Sequence, residues 1–377
     1  MTTNNHKKIF IIAGESSGDQ HAADYINQHS KLNPGIVFDA FGQSEIKKTK
    51  ANLIYNTEKI SVVGIIEIIS KYKEITYAMK LAKDYIKKNK PSLIVLVDYI
   101  EFNFKIAKFA KQYDIPVLFY IAPQVWAWRE KRARDFIKSI NHLAVIFPFE
   151  EIFFKKYTNN VTYVGHPLNE RTDLINSIRD YKSRDIDLGI FPGSRESEIN
   201  NNIHLMLDCI QKNKHQKIAI FYANETSLKL LKSLLPEDYH KFFISGKDLN
   251  KVSNCKKALC ASGTITLELS ILEIPMIVMY KLSFISYYIM KSLIKIKYIG
   301  LVNLILGDQI GSKPIIKEFI QPSYSDLVDI MVELNTIDND EEYRNNMLDN
   351  YRLLNEKLSI KSNNSLALIA EKMISSI

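Results

Sequence analysis

The chain is a succession of short apolar runs, each long enough for one buried strand, separated by amphipathic stretches long enough for a helix. Lys8–Ala13, Leu93–Val97 and residues 117–121 and 143–147 are rich in Ile, Val and Leu, with little polar alternation. Such strands are buried on both faces, which calls for a parallel sheet covered by helices on both sides. Residues 21–29, 72–88, 104–112 and 126–140 supply helical patterns between them. The pattern then restarts. After residues 161–164 and Gly165-His166-Pro167, the polar stretch 169–184 reads as a linker with some helix. Residues 187–191 open a second series, with a helix over 197–212, a strand over 218–223 and a helix over 227–235. Ala258–Ala261 and Met276–Tyr280 add two more strands, and Tyr343, Met347, Tyr351, Leu354 and Leu358 recur at helical spacing. The expected fold class is α/β. Two doubly wound Rossmann-like domains, residues 1–170 and 171–340, are followed by a helical C-terminal tail, 341–377.

Composition narrows the function classes. With 46% hydrophobic and 24% charged residues among 377, the chain is an ordinary globular one, not a disordered or fibrous one. No apolar run approaches the ~18 residues that cross a bilayer; the richest stretch, 282–306, is broken by Lys291, Lys295 and Lys297. The N-terminus carries no secretory pattern, and Cys209, Cys255 and Cys260 suit neither a disulfide framework nor a zinc site. A reducing cytoplasm is expected. The net charge of +8 fits a nucleic-acid or anionic-membrane partner, but the basic residues are scattered. Most of them read as solvated surface, and no nucleic-acid partner is expected.

In open parallel sheets, ligands sit beyond the carboxyl ends of the strands. The first loop there is Ala13-Gly14-Glu15-Ser16-Ser17-Gly18-Asp19. Gly14 and Gly18 permit a tight turn and close backbone approach. The loop lacks both the Walker and the dinucleotide spacing, so it is either a binding loop or an ordinary strand-to-helix turn. The second is Pro192-Gly193-Ser194-Arg195-Glu196-Ser197-Glu198. An arginine at a helix N-terminus suits a phosphate. In the alternative, Ser194 or Ser197 caps the helix while Arg195 pairs with a carboxylate. The third, Ser262-Gly263-Thr264, opens a helix that carries Glu268, a candidate acceptor for ribose hydroxyls. Two such loops in one domain point to a nucleotide diphosphate, with no metal cluster and no cofactor. Asp98, ending the run Leu93–Val97, is a candidate base or a helix N-cap, with Glu15 and Glu101 as rivals. His166 reads as a hinge, a cap or a chemical group. Trp126 and Trp128, beside Arg129, are core residues or a wall for sugar and anion.

Taken together, these motifs resemble the lipid-A-disaccharide synthase family. Ala13 to Asp19, Ser61-Val62-Val63-Gly64, Asp98 with Phe102-Asn103, and Pro123-Gln124-Val125-Trp126-Ala127-Trp128-Arg129 carry the likeness. Phe147-Pro148-Phe149-Glu150, Gly165-His166-Pro167, Pro192 to Arg195 and Ser262-Gly263-Thr264 with Leu267-Glu268 continue it in collinear order. The resemblance implies an inverting, metal-independent glycosyltransferase of GT-B type, its two Rossmann-like domains facing a cleft. It would join UDP-2,3-diacylglucosamine to 2,3-diacylglucosamine 1-phosphate, releasing UDP and forming the lipid A disaccharide. It also implies peripheral contact with anionic lipids at the cytoplasmic face of the inner membrane, and homodimers through the C-terminal part. Carried over by position, Asp98 is the acidic catalytic residue, Arg195 the phosphate-side arginine, Glu268 the ribose ligand and Asn303 a neighbour of the nucleotide. The remaining substrate contacts implied are Gly14, Glu15, Ser17, Gly18, Asp19, Trp128, Arg129, Gly193, Ser194, Ser262, Gly263 and Thr264. The chain departs from the family at Leu301-Val302-Asn303, at Gly307-Asp308, in extra residues before Glu318, and at Gly42-Gln43-Ser44-Glu45-Ile46. These departures bear on the contacts of 303–318 and on acyl-chain preference. Residues 62–75 and 287–299, apolar with interspersed lysines, are interfacial segments or core helices.

Overall fold

The computed structural model describes residues 7–60, 71–123, 130–211, 217–281, 298–306, 314–359 and 365–375. It forms two compact units, Met1–Pro167 with Ile360–Ile377, and Leu168–Ser359. The first is built on a seven-stranded parallel sheet ordered β3-β2-β1-β4-β5-β6-β7. Its strands are β1 (Lys8–Ala13), β2 (Val37–Gly42), β3 (Asn52–Asn56), β4 (Leu93–Val97), β5 (Val117–Tyr120), β6 (His142–Val145) and β7 (Val161–Tyr163). Helices α1 (Ser16–Leu32), α2 (Tyr72–Asn89), α3 (Ile100–Lys111), α4 (Glu130–Ile137) and α5 (Pro148–Phe154) connect them. All five residues of β4 are buried, as the uninterrupted apolar run requires of a central strand with both faces covered. One face packs Phe10, Ile12, Phe41, Ile94, Leu96 and Phe119 against Ala82, Ile106 and Phe136 from the helices.

Strands β2 and β3 escape the sequence pattern because β2 carries Asp39 in its middle. The structure satisfies that buried carboxylate with Lys8 at 3.1 Å, with Asn52 at 3.0 Å and with the Tyr85 hydroxyl. A charge normally excluded from a strand interior is tolerated because each oxygen has a partner.

The second unit repeats the plan with a six-stranded parallel sheet, β10-β9-β8-β11-β12-β13. Its strands are β8 (Leu188–Phe191), β9 (Ile218–Tyr222), β10 (Phe243–Ser245), β11 (Ala258–Ala261), β12 (Met276–Tyr280) and β13 (Glu318–Ile320). Its principal helices are α6 (Glu196–Gln211), α7 (Glu225–Leu234), α8 (Ile265–Ile271), α9 (Leu301–Leu306), α10 (Leu327–Asn339) and α11 (Glu341–Leu358). The polar stretch expected as a linker is anchored at its end. Arg184, only 3% exposed, donates to the carbonyls of Arg179, Cys255, Leu272 and Glu273. Fully buried Lys257 pairs with Asp338, which also accepts from the Tyr181 hydroxyl at 3.3 Å.

The stretch expected as a helical tail is divided. Helix α11 packs against α8 and α10 in the second unit, whereas α12 (Leu366–Ser375) packs against α1 in the first. There, buried His29 meets Glu371 at 2.6 Å and the Tyr25 hydroxyl at 2.8 Å. Among the described residues, no helix is long and apolar enough to cross a membrane.

Candidate functional site

Each sheet reverses its strand order once, and ligands bind such sheets beyond the carboxyl edge at the reversal. In the first unit the reversal lies between β1 and β4, paired in register up to Ala13 opposite Val97. The next residues, Gly14 and Asp98, therefore leave the sheet side by side. In the second unit it lies between β8 and β11, so residues 192–195 and 262–264 leave that sheet side by side. The loops picked out by composition are thus the loops at the two reversals.

In the first unit Asp98 has a pKa pushed up from 3.8 to about 6. Burial is the main cause and the negative charge of Glu15 adds to it, against a hydrogen bond from the Tyr99 backbone. Of its rivals, Glu15 is half-buried before α1, while Glu101 is exposed on the first turn of α3. Asp98 and Tyr99 both have φ of 47°. Asn103, fully buried on α3, spans the reversal: its Nδ2 reaches Asp98 O at 2.8 Å and Val97 O at 3.2 Å on one side and Ile12 O at 3.4 Å on the other.

The loop after β1 is more committed than its composition suggests. Asp19 is 1% exposed, and its two oxygens accept from the backbone N–H groups of Gln43 and Glu45 at 2.6 and 2.7 Å. It therefore holds the loop after β2 and turns no oxygen outward. Gln43 completes the bracket by donating to Gly14 O at 3.2 Å and accepting from the Ser16 hydroxyl at 3.4 Å. Gly18 lies buried in α1, where an added Cβ would stand 3.7 Å from Val97, an ordinary contact, while Ser17 is exposed. Further along the same edge, His21 and His166 are held neutral. Burial drops His21 to about 4, and burial together with the nearby His21 drops His166 to about 3. The His166 ring lies 5.2 Å from that of Phe147, among aromatic side chains. Trp128 and Arg129 lie outside the described residues, as does Asp308.

In the second unit the loop after β8 realises the ion-pair alternative for Arg195. Glu198 accepts from the backbone N–H groups of Ser194 and Arg195 at 3.0 and 3.3 Å, and its other oxygen lies 3.6 Å from the Arg195 guanidinium. Gly193, at φ of 117°, allows this: a Cβ there would stand 2.7 Å from the Glu198 side chain. The carboxylate from the first turn thus caps its own helix, as an acidic third residue does. The Arg195 side chain is 63% exposed, so most of its donors face solvent.

Across the reversal, Ser262, Gly263 and Thr264 are half-buried to exposed, and the space where a Gly263 side chain would stand is empty to 4 Å. Burial raises the pKa of Glu268, an effect opposed by Arg171 and reinforced by Asp173. Arg171 is held by Asp173, donating through Nε at 3.1 Å. Sequence reasoning missed Arg171, Gln43 and Tyr99 as parts of these loops, and it gave Glu198 no role of its own. Arg171 carried no signal at all, whereas Glu198 sits at the third position of its helix.

The structure commits Asn303 to its own chain. It is fully buried, Nδ2 donates to Ile316 O and Glu318 Oε1, and Oδ1 accepts from the N–H groups of Ile315 and Ile316. An amide has two donors and two acceptor sites, and all four are filled by its own chain. Glu318 in turn accepts from the backbone of Ile299 and Gly300. Asn303 ties α9 to β13 and has no free donor or acceptor for a nucleotide.

Comparison with known proteins follows the same two-sheet plan. A family model described as lipid-A-disaccharide synthetase matches residues 9–373. A lipid-A-disaccharide synthase of Nitrosococcus oceani is 31% identical over 381 residues, 97% of this chain and 96% of that protein. One of Coxiella burnetii is 33% identical over 324 residues, 84% of this chain and 85% of that protein. Among solved structures, the glycotransferase of kitacinnamycin superposes with a TM-score of 0.63 at 10% identity, covering 98% of each chain, a likeness of fold.

Proposed function

The chain belongs to the lipid-A-disaccharide synthetase family, a glycosyltransferase of lipid A biosynthesis, and on that premise we propose the reaction and the roles of its residues. The donor is UDP-2,3-diacylglucosamine and the acceptor 2,3-diacylglucosamine 1-phosphate; the products are the disaccharide 1-phosphate and UDP, with inversion at the donor sugar. Asp98 of the first unit takes the proton from the acceptor hydroxyl as that oxygen attacks the anomeric carbon. A single base suffices for inversion because no covalent sugar–enzyme intermediate has to be resolved. In the second unit Arg195 leaves Glu198 for the departing diphosphate, and the loops at Gly193 and Gly263 present backbone N–H groups to the same charge. Glu268 accepts from the ribose hydroxyls.

The observation that carries this reading is the half-buried Asp98 at the strand reversal, with a pKa of about 6. A carboxylate ionised at neutral pH yet close to its pKa is suited to accept a proton. The protein would work against the anionic inner face of the cytoplasmic membrane. On α2, exposed Tyr72 and Tyr77 with Lys73 offer an interfacial surface, while Ile75 packs on the core. Of the other candidate residues for that surface, 62–70 and 287–297 lie outside the described residues, and Tyr298 is buried.

The test is incubation with both acylated glucosamines and mass spectrometry of the products. The wild type is expected to give disaccharide 1-phosphate and UDP. Arg195→Ala is expected to lose about ten- to a thousandfold in rate, the scale of one electrostatic donor to a leaving group. Near-wild-type turnover by Asp98→Asn would remove the base assignment, and unchanged kinetics in Arg195→Ala would remove the clamp.

A further inference from the structure

The backbone that carries Asp98 lies in a conformation side chains rarely adopt. Asp98 and Tyr99 are consecutive non-glycine residues at φ of 47°. Each such residue costs free energy and persists only where its surroundings over-determine it. Three sets of contacts do so here. The Asp98 N–H donates to Tyr120 O at 2.9 Å, and Asn103 holds the Asp98 carbonyl at 2.8 Å. The Tyr99 hydroxyl donates to Ile60 O at 2.8 Å, and its ring stacks on Phe102 with centroids 5.5 Å apart. The face of the ring also lies directly on Gly14. A Cβ at Gly14 would stand 2.2 Å from two of the ring carbons, a distance no side chain can share. Gly14 is not in the left-handed region, so close approach, and not backbone freedom, is what requires a glycine there.

We infer that Tyr99 is the positioning residue for Asp98, and that Gly14 is the socket for its ring and not a point of substrate approach. The inference deepens the proposed function and rests on Asp98 as the base. With the ring pinned between Gly14, Phe102 and Ile60, the Tyr99 backbone is fixed, and with it the N–H that bonds the Asp98 carboxylate. Any change that lifts the ring turns both.

A double-mutant cycle tests this, with kcat, both KM values and the acid limb of the rate profile as readouts. Gly14→Ala is expected to lower kcat about a hundredfold, the scale of an ångström of misplacement, while both KM values move less than about threefold. Tyr99→Ala should do the same, and in both the acid limb should move to lower pH as Asp98 gains solvent. On the Tyr99→Ala background, Gly14→Ala should cost less than about threefold more, because the clash it creates is gone. Tyr99→Phe, which keeps the ring, should stay within about fivefold of the wild type, the hydroxyl contributing one neutral hydrogen bond. Equal costs for Gly14→Ala with and without the Tyr99 ring would overturn the inference, since the glycine would then be serving the substrate. If Gly14→Ala does not fold, the contrast between Tyr99→Phe and Tyr99→Ala decides alone: wild-type kcat and an unmoved acid limb in Tyr99→Ala overturn it. Asp98→Asn measured alongside separates the two claims. Full turnover there removes the base assignment, whereas an inactive Asp98→Asn with an additive cycle removes only the positioning role.

Discussion

A carboxyl whose pKa rises from 3.8 to about 6 on folding holds its proton more tightly in the folded chain than in the unfolded one. Well below pH 3.8 Asp98 is protonated in both states and contributes nothing. As pH climbs through the interval between the two values, ionisation costs the folded chain more, and the full penalty stands above about pH 6. Asp98→Asn cannot ionise, so it should be the more stable protein at pH 8, by about 2–3 kcal/mol for a shift of this size, with the gain fading toward pH 4. Urea unfolding of both proteins across that range checks it; a difference independent of pH would mean that burial and Glu15 are not what burdens the carboxyl. The position of Asp98 was legible because an uninterrupted apolar run announces where a buried strand ends. Tyr99 and Gln43 were not, because their roles depend on what the fold places opposite them. Gln43 acquires its role only when β2 lies beside β1, and Tyr99 only when Ala13 pairs with Val97.

At the scale of elements, α9 and β13 hang on one side chain. The resemblance implies a nucleotide neighbour at Asn303, and a side chain that bonds a ligand and one that bonds its own backbone leave the same mark in a sequence. Removing it strands the N–H groups of Ile315 and Ile316 and the carbonyl of Ile316, and takes one donor from Glu318. Burial already raises the pKa of Glu318 in spite of donors from Ile299, Asn303 and Gly300, so the lost bond falls on a group with little to spare. Asn303→Ala should therefore destabilise the protein by about 2–4 kcal/mol, the range for orphaned buried polar groups. Denaturant unfolding read beside UDP affinity distinguishes the roles: a weakened UDP affinity at unchanged stability would return Asn303 to the nucleotide. Central strands such as β4 and β11 were legible for the same reason as Asp98. The short edge strands β3, β10 and β13, three to five residues each, were not, since an edge strand lacks the apolar run that two covered faces demand.

For the whole molecule, the spacing of apolar residues foretold helices after residue 341 but not which unit they join. An amphipathic helix advertises a face, not a partner. Besides its buried apolar face, α12 carries a polar latch in the first unit, where Glu371 accepts from Asn33 at 3.0 Å and meets buried His29 at 2.6 Å, and Lys7 donates to Ile374 O at 3.1 Å. Burial alone would raise the pKa of Glu371, but the hydrogen bonds from His29 and Asn33 outweigh it and bring the carboxyl below its usual value. A carboxyl depressed by folding stabilises the folded state above its unfolded pKa of about 4.3, and that contribution disappears as pH falls through the lower, folded value. The latch should therefore be whole at neutral pH and open under acid. Glu371→Gln removes the charge at every pH and should loosen α12 at pH 7 by about 1–2 kcal/mol, a hydrogen bond to a charged group discounted for its partial exposure. Hydrogen exchange of residues 366–375, corrected for intrinsic rates, should show the variant less protected than the wild type at pH 7 and the two converging below pH 4. Equal protection at pH 7 would mean that apolar packing on α1 holds the helix alone, and that its destination was written in its buried face after all.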